Sequence, residues 1–204
     1  MSSRRLAVIA FCLSLAGCAG YGDKLKPEVV QSFNLQQVAV SVPPEATFYW
    51  GDGERAYARS ISQPESEAAK LGETPQGKAY MRNLASQRIK TAFDRALGGK
   101  FKGTRPVRIE IVMHDVYVSS PLQRILVGGD YSMKATANLV DAKTGQVIAA
   151  NPNLSLRVPA GQGILGAAVD PAFGEPIDRV ATRFAESYRE WLGFSDGVRR
   201  PDGT

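Results

Sequence analysis

The period of the hydrophobic pattern changes twice along this chain, and that constrains the fold more than any single motif. Met81, Leu84, Ala85, Ile89, Ala92, Phe93, Ala96 and Leu97 recur every three to four residues, with Arg82, Gln87, Lys90, Thr91 and Asp94 between them. The spacing predicts an amphipathic helix over residues 76–97, closed by Gly98-Gly99 with their permissive C-cap backbone. The pattern then alternates. Val107, Ile109, Ile111 and Met113 interleave with Arg108, Glu110 and His114, and Tyr131, Met133, Ala135, Ala137 and Leu139 repeat the theme. Both runs read as half-buried strands, the first over 107–118 with a bulge or twist where the phase breaks near Asp115-Val116. Asp141 to Gly145 is a tight hairpin turn, and the return strand occupies 146–150 and 154–158 around an interruption at Pro152. The helical period resumes in Ile177, Val180, Ala181, Phe184, Ala185, Tyr188, Trp191 and Leu192. It predicts a second helix over 176–192, with Pro176 in its first turn and Gly193 at its end. Upstream, Phe33 to Val42 reads as a strand stopped by Pro43-Pro44, because proline cannot donate to a ladder.

The resulting order is strand-helix-strand-strand-strand-helix. It implies an α+β fold, a mostly antiparallel sheet of about four strands with two helices packed on one face. Residues 33–194 make a single domain, and the polar stretch 195–204 is a flexible tail. Residues 45–75 are polar and irregular. A loop of that length is either a functional insertion or contains a short helix, for which Ser62 to Lys70 is one candidate.

The N-terminal end carries a different kind of signal. Arg4 and Arg5 precede an almost wholly apolar run, Leu6 to Leu15, which leads through Ala16 and Gly17 to Cys18. The run is about half of the ~20 residues a membrane-spanning helix needs; it has the shape of an export signal. Leu15-Ala16-Gly17-Cys18 resembles the lipobox of bacterial lipoproteins. That resemblance implies removal of residues 1–17 as a signal peptide and acylation of Cys18, so that covalent lipid ties the chain to a membrane. The alternative is an ordinary signal peptide cut near Ala19, with Cys18 incidental. Each buried methylene contributes ~0.8 kcal/mol, and two acyl chains suffice for stable anchoring. By resemblance to the lipoprotein sorting rule, Ala19, where Asp would retain the protein in the inner membrane, implies the inner face of the outer membrane, with the domain in the periplasm. Residues 18–32 then serve as a flexible tether. Its reach is ~50 Å fully extended and ~20 Å as an average coil.

Composition narrows the chemistry. Cys12 and Cys18 are the two cysteines of the chain. With one cleaved away and the other acylated, no thiol remains for a disulfide, a redox pair or a zinc site. The chain has 25 basic and 20 acidic residues, an excess that drops by two when Arg4 and Arg5 leave. The basic residues are scattered, Arg199-Arg200 being the longest run, with no basic stripe between aromatic platforms. Nucleic acid is therefore not an expected partner.

No motif demands catalysis or a cofactor. Gly161-Gln162-Gly163-Ile164-Leu165-Gly166 fits the dinucleotide pattern GxGxxG, and Glu186 has the spacing of the ribose acid. However, Glu186 falls in the terminal helix with no strand after it, so a flexible glycine loop is the better reading. His114 is the single histidine. Asp115 is adjacent to it and would face the other side of a regular strand, and no GxSxG elbow is present. Asp52, Glu54 and Glu65 match no calcium-loop spacing and read as solvated loop acids. No enzyme activity, cofactor or metal is expected.

Two apolar segments stand where loops should be polar. Residues 121–129 contain Ile125, Leu126 and Val127, and residues 163–169 contain Ile164 and Leu165. Exposed apolar loops mark contact surfaces, and the neighbouring glycines let the backbone adapt to a partner. These five residues are the candidate partner contacts; the competing reading folds them back over the sheet or extends the strands.

Roughly residues 105–193 resemble a module of periplasmic lipoproteins of the curli-assembly type. The resemblance is carried by the alternating strand, the run Ala137 to Ile148 with its LVDAKTGQVI hairpin, and the terminal amphipathic helix. The whole chain also resembles small Gram-negative lipoproteins of unknown function. The resemblance implies binding or assembly rather than catalysis, and without a pair of transmembrane hairpins it does not imply a pore. The expected function is a non-enzymatic, membrane-anchored lipoprotein that binds a protein partner or scaffolds an envelope complex. The alternative is a periplasmic carrier of lipid or another apolar ligand.

Overall fold

A computed structural model describes residues 25–126, 129–159 and 175–194. The N-terminal lipidation signal and the segment around Ile164 and Leu165 lie outside those residues. The elements are α1 (Pro27–Gln31), β1 (Phe33–Ser41), β2 (Thr47–Trp50), α2 (Gly51–Ser60), a 3-10 turn (Glu65–Glu67), α3 (Ala68–Gly72), α4 (Pro75–Leu97), β3 (Arg105–Val118), α5 (Pro121–Leu126), β4 (Asp130–Asp141), β5 (Val147–Pro159) and α6 (Pro176–Trp191).

The fold is α+β, as the alternation of periods implies, and its sheet has five strands. β3, β4 and β5 form an antiparallel meander. β1 and β2 both run parallel to β3, β1 along its first half (Val38 opposite Ile109) and β2 along its second (Phe48 opposite Val116). Parallel neighbours need a long crossover, and the segment holding α2, α3 and α4 supplies it.

The two long helices match their periodicity to within about a residue at each end, inside the ordinary scatter of helix boundaries. Thr74 caps α4, its hydroxyl accepting the Gly77 N–H at 3.1 Å, and Pro75 occupies the first turn. Met81, Ala85, Ile89, Phe93 and Leu97 of α4 are buried, as are Ile177, Val180, Phe184 and Tyr188 of α6. They share one core with Val107, Ile109, Ile111 and Met113 of β3, so both helices lie on one face of the sheet. Phe93 meets Phe184 edge-on at 6.0 Å and Tyr188 at 5.7 Å. Each fully buried side chain of this size contributes ~1.5–3 kcal/mol.

The phase break in β3 is a bulge. Buried positions are odd up to Met113 and even from Val116, and the pairing with β4 slips between Met113 and Asp115. β5 is a single strand whose ladder is irregular around Pro152, opposite Ala135 and Ala137 of β4. The hairpin is held by Asp141, whose Oδ1 accepts the N–H groups of Lys143 and Thr144 at 3.0 Å each, while Gly145 takes φ +75°. Arg105 Nη2 reaches Asp141 Oδ2 at 2.9 Å. The Thr144 amide first, then Arg105 and the Lys143 amide, hold the Asp141 carboxyl below its ordinary range.

Three readings of the sequence change. Residues 27–31, placed in the tether, form α1, and Val30 is 2% exposed; the packed part of the chain begins before Phe33. Residues 45–75 contain a strand and two short helices, and Ser62 to Lys70 covers only the 3-10 turn and the start of α3. Two glycines disguise α2, but packing requires both. A Cβ on Gly53 would lie 2.4 Å from the buried Trp50 ring, and one on Gly51 would lie 2.7 Å from Ser120. Finally, residues 121–126 form α5 rather than a loop.

Candidate functional site

α5 follows directly from the end of β3. Ser120 Oγ accepts the Gln123 N–H at 3.3 Å, the local bond of a helix start, and Pro121 opens the first turn. Gln123 Nε2 donates to the Tyr117 hydroxyl at 2.8 Å. Tyr117 in turn stacks on Tyr49 of β2, with centroids 5.3 Å apart and planes 24° off parallel. These contacts pin the polar side of α5 to the sheet. Leu122 and Leu126, one helical turn apart and so on one side of α5, are left 64% and 70% exposed. Val29, Tyr49, Ile61, Val112 and Val147 are the other exposed large apolar residues described, at 36–42%.

The candidate contacts therefore divide. Leu126 is at the surface. Ile125 sits in α5, and nothing is described of its side chain. Val127, Ile164, Leu165 and Cys18 lie outside the described residues. The two apolar segments nonetheless have adjacent roots. Residues 127–128 lead into Asp130 of β4, and Asp130 pairs with Pro159 of β5, which leads into residues 160–174. Leu122, the partner of Leu126 on α5, escapes a reading of this stretch as loop, although its i, i+4 spacing from Leu126 was visible.

Beside α5, on the sheet face away from α4 and α6, lies a cleft of about 1000 Å3. Several of its polar groups are paired. His114 Nε2 is 2.8 Å from Thr136 Oγ1, and Ser132 Oγ donates to Asp115 Oδ2 at 2.7 Å. Arg157 pairs with Asp130. The bulge that breaks the phase of β3 hands His114 to Thr136 and Asp115 to Ser132, so the two adjacent residues serve different partners. Asp52 and Glu65, read from the sequence as solvated loop acids, stand in α2 and the 3-10 turn and are paired with arginines, Asp52 with Arg55 and Glu65 with Arg59 at 2.6 Å. Glu54 is partly buried; desolvation first, and then the charge of Glu73, raise its pKa against a smaller opposing pull from Arg55. Among the described residues, no three His, Cys, Asp or Glu side chains gather as a metal site, and no helix is long and apolar enough to cross a membrane.

Fold and surface together define an α+β domain with a covered apolar sheet face, an open polar one and an exposed apolar ridge at one end. The chain belongs to the family of unknown function DUF6778, whose model matches residues 82–203, from inside α4 to the C-terminal tail. No curated protein matches the sequence. Among solved structures, it is similar to the PelC dodecamer protein from Paraburkholderia phytofirmans (11% identity, TM-score 0.42, covering 85% of this chain and 95% of that one). It is also similar to the DUF330 protein from Xanthomonas campestris (13%, 0.35, covering 85% and 93%). A third is lipoprotein GNA1162 from Neisseria meningitidis (17%, 0.25, covering 63% and 83%).

Proposed function

We propose that this protein is a lipoprotein held by acylated Cys18 on the inner face of the outer membrane, where its domain binds a protein partner or scaffolds an envelope complex without catalysing a reaction. The single observation that carries the binding reading is the pair Leu122 and Leu126, 64% and 70% exposed on one side of α5. An apolar ridge whose polar flank is already tied down by Gln123 and Tyr117 leaves most of its surface open for a partner to cover. The anchor rests on the lipobox-like Leu15-Ala16-Gly17-Cys18. The likeness of residues 105–193 to the curli-assembly type of module points toward assembly as well. A carrier of apolar ligands calls for a deep apolar cavity. Two clefts of about 1000 and 940 Å3 instead carry paired polar groups or arginines, which favours the partner-binding reading over the carrier.

The test uses the full-length chain expressed in its own membrane, with a photo-crosslinking residue in place of Leu126. A discrete crosslinked partner, lost when Leu122→Asp is added to the folded protein, is expected. An uncrosslinked chain, or crosslinks unchanged by Leu122→Asp, argues against the ridge as a contact surface. Mass spectrometry of the native N-terminus tests the anchor separately: acyl groups on Cys18 are expected, and an unmodified chain beginning at Ala19 contradicts it.

A further inference from the structure

A second large cleft lies on the helix-covered side of the sheet. It runs between α4 and α6 over the ends of β4 and β5, with a volume of about 940 Å3, a size suited to a small ligand. Four arginines line it, Arg88 and Arg95 from α4 and Arg179 and Arg183 from α6. Arg88 is neutralised: Nη1 lies 2.6 Å from Asp178 Oδ2 and Nη2 lies 3.3 Å from Glu175 Oε2. Arg95, Arg179 and Arg183 have no ion-pair partner among the described residues, and the one further carboxylate in the lining is Glu186. Counting Glu175 and Asp178 on Arg88 together with Glu186, four guanidiniums face three carboxylates, and the groove keeps an excess of positive charge.

A second and independent observation lies at its floor. Tyr131 is 4% exposed, and its hydroxyl is buried with no hydrogen-bond partner. The Arg179 guanidinium sits 5.9 Å from the Tyr131 ring centroid, and Arg179 Nε is likewise buried and unpartnered. Buried donors are normally satisfied, and leaving one unmade costs free energy. By contrast, the polar groups named in the open-face cleft hold one another.

We propose that the groove between α4 and α6 binds a phosphate monoester, its dianion held by Arg95, Arg179 and Arg183, with the Tyr131 hydroxyl donating to a phosphate oxygen. The three guanidiniums without an ion-pair partner among the described residues give the groove the sign an anion needs. Guanidinium forks suit phosphate oxygens, and a phosphate monoester offers three terminal oxygens to them against the two of a carboxylate. Leu84, Val158 and Val180 give the groove an apolar wall for the esterified group. The same chemistry is offered by a soluble phosphate ester or by the headgroup of a phosphatidic-acid-type lipid. This inference stands independently of the α5 ridge.

The experiment follows thermal unfolding of the full-length acylated chain in nanodiscs. Glycerol 3-phosphate is titrated into phosphatidylcholine discs, and discs containing phosphatidic acid are compared with those lacking it. A saturable rise in melting temperature is expected in at least one arm, with sodium chloride of equal ionic strength producing none. A rise with glycerol 3-phosphate assigns a soluble ester, and a rise with phosphatidic acid alone assigns the headgroup. The surface substitutions Arg95→Gln and Arg183→Gln together are expected to weaken the response at least tenfold. Tyr131→Phe is expected to weaken it less without lowering the ligand-free melting temperature. His114→Gln, on the open face, is expected to leave the response intact. No rise in either arm, a rise insensitive to Arg95→Gln and Arg183→Gln, or a rise with acetate or succinate and none with phosphate esters would overturn the assignment.

Discussion

Phe93 and Phe184 on one side of the sheet, and Leu122 and Leu126 on the other end of the molecule, are all large apolar residues on helices, yet the fold treats them oppositely. The two phenylalanines are fully buried and meet edge-on across α4 and α6. The two leucines stand mostly in water on α5. The difference follows from what each helix is tied down by. α4 and α6 are attached to the sheet by apolar stripes, so their polar residues face out. α5 is attached by Gln123, Tyr117 and the Ser120 bond, and its Leu122 and Leu126 face out. Apolar surface that holds the fold and apolar surface free for a partner can therefore be told apart by which side of the helix does the anchoring.

The largest expected effects fall on the buried pair. Phe93→Ala and Phe184→Ala should each cost ~3–5 kcal/mol of unfolding free energy in urea titrations. A loss below about 1 kcal/mol for both would erase the contrast with α5. Gly53→Ala comes next. Its Cβ would press on the Trp50 ring, which is 1% exposed, and such overpacking costs ~1–3 kcal/mol. An unchanged denaturation midpoint would mean that α2 and Trp50 do not pack as described.

Smaller effects come from pH, and two carboxylates oppose each other in sign. Asp141 has a depressed pKa in the folded state. Its stabilising contribution is present above its ordinary value of 3.8 and is lost as pH falls through the lower folded value. Asp141→Asn should flatten that part of the acid limb of the stability curve. Glu54 has a raised pKa. Its contribution is present below its ordinary value of 4.5 and is lost as pH rises through the higher folded value. Glu54→Gln should therefore raise stability at neutral pH relative to the wild type and change it little below pH 4. Urea midpoints measured across that pH range check both, and identical pH profiles for wild type and both variants would contradict them.

The elements legible in the sequence are those where a local period and a burial pattern coincide. α4, α6, the β3 bulge and the Asp141 hairpin all carry that double signature. The parallel pairing of β1 and β2 with β3 does not, because alternation records which face is buried and not which way the neighbouring strand runs. α2 was hidden by Gly51 and Gly53, whose presence answers to Ser120 and the Trp50 ring rather than to helix propensity. α5 was hidden by its own composition, since Leu122 and Leu126 form an apolar side that stays mostly exposed. The groove arginines looked scattered because Arg88 and Arg95 lie some ninety residues from Arg179 and Arg183 in the chain; only the docking of α4 against α6 gathers them.

The most direct measurement of the division between holding the fold and meeting a partner is the equilibrium unfolding of the Leu122→Asp, Leu126→Asp double variant. Both side chains are already largely in water, so its unfolding free energy should stay within ~0.5 kcal/mol of the wild type. A loss of several kcal/mol, comparable to that of Phe93→Ala, would place the two leucines in the core and contradict the reading of α5 as an exposed contact ridge.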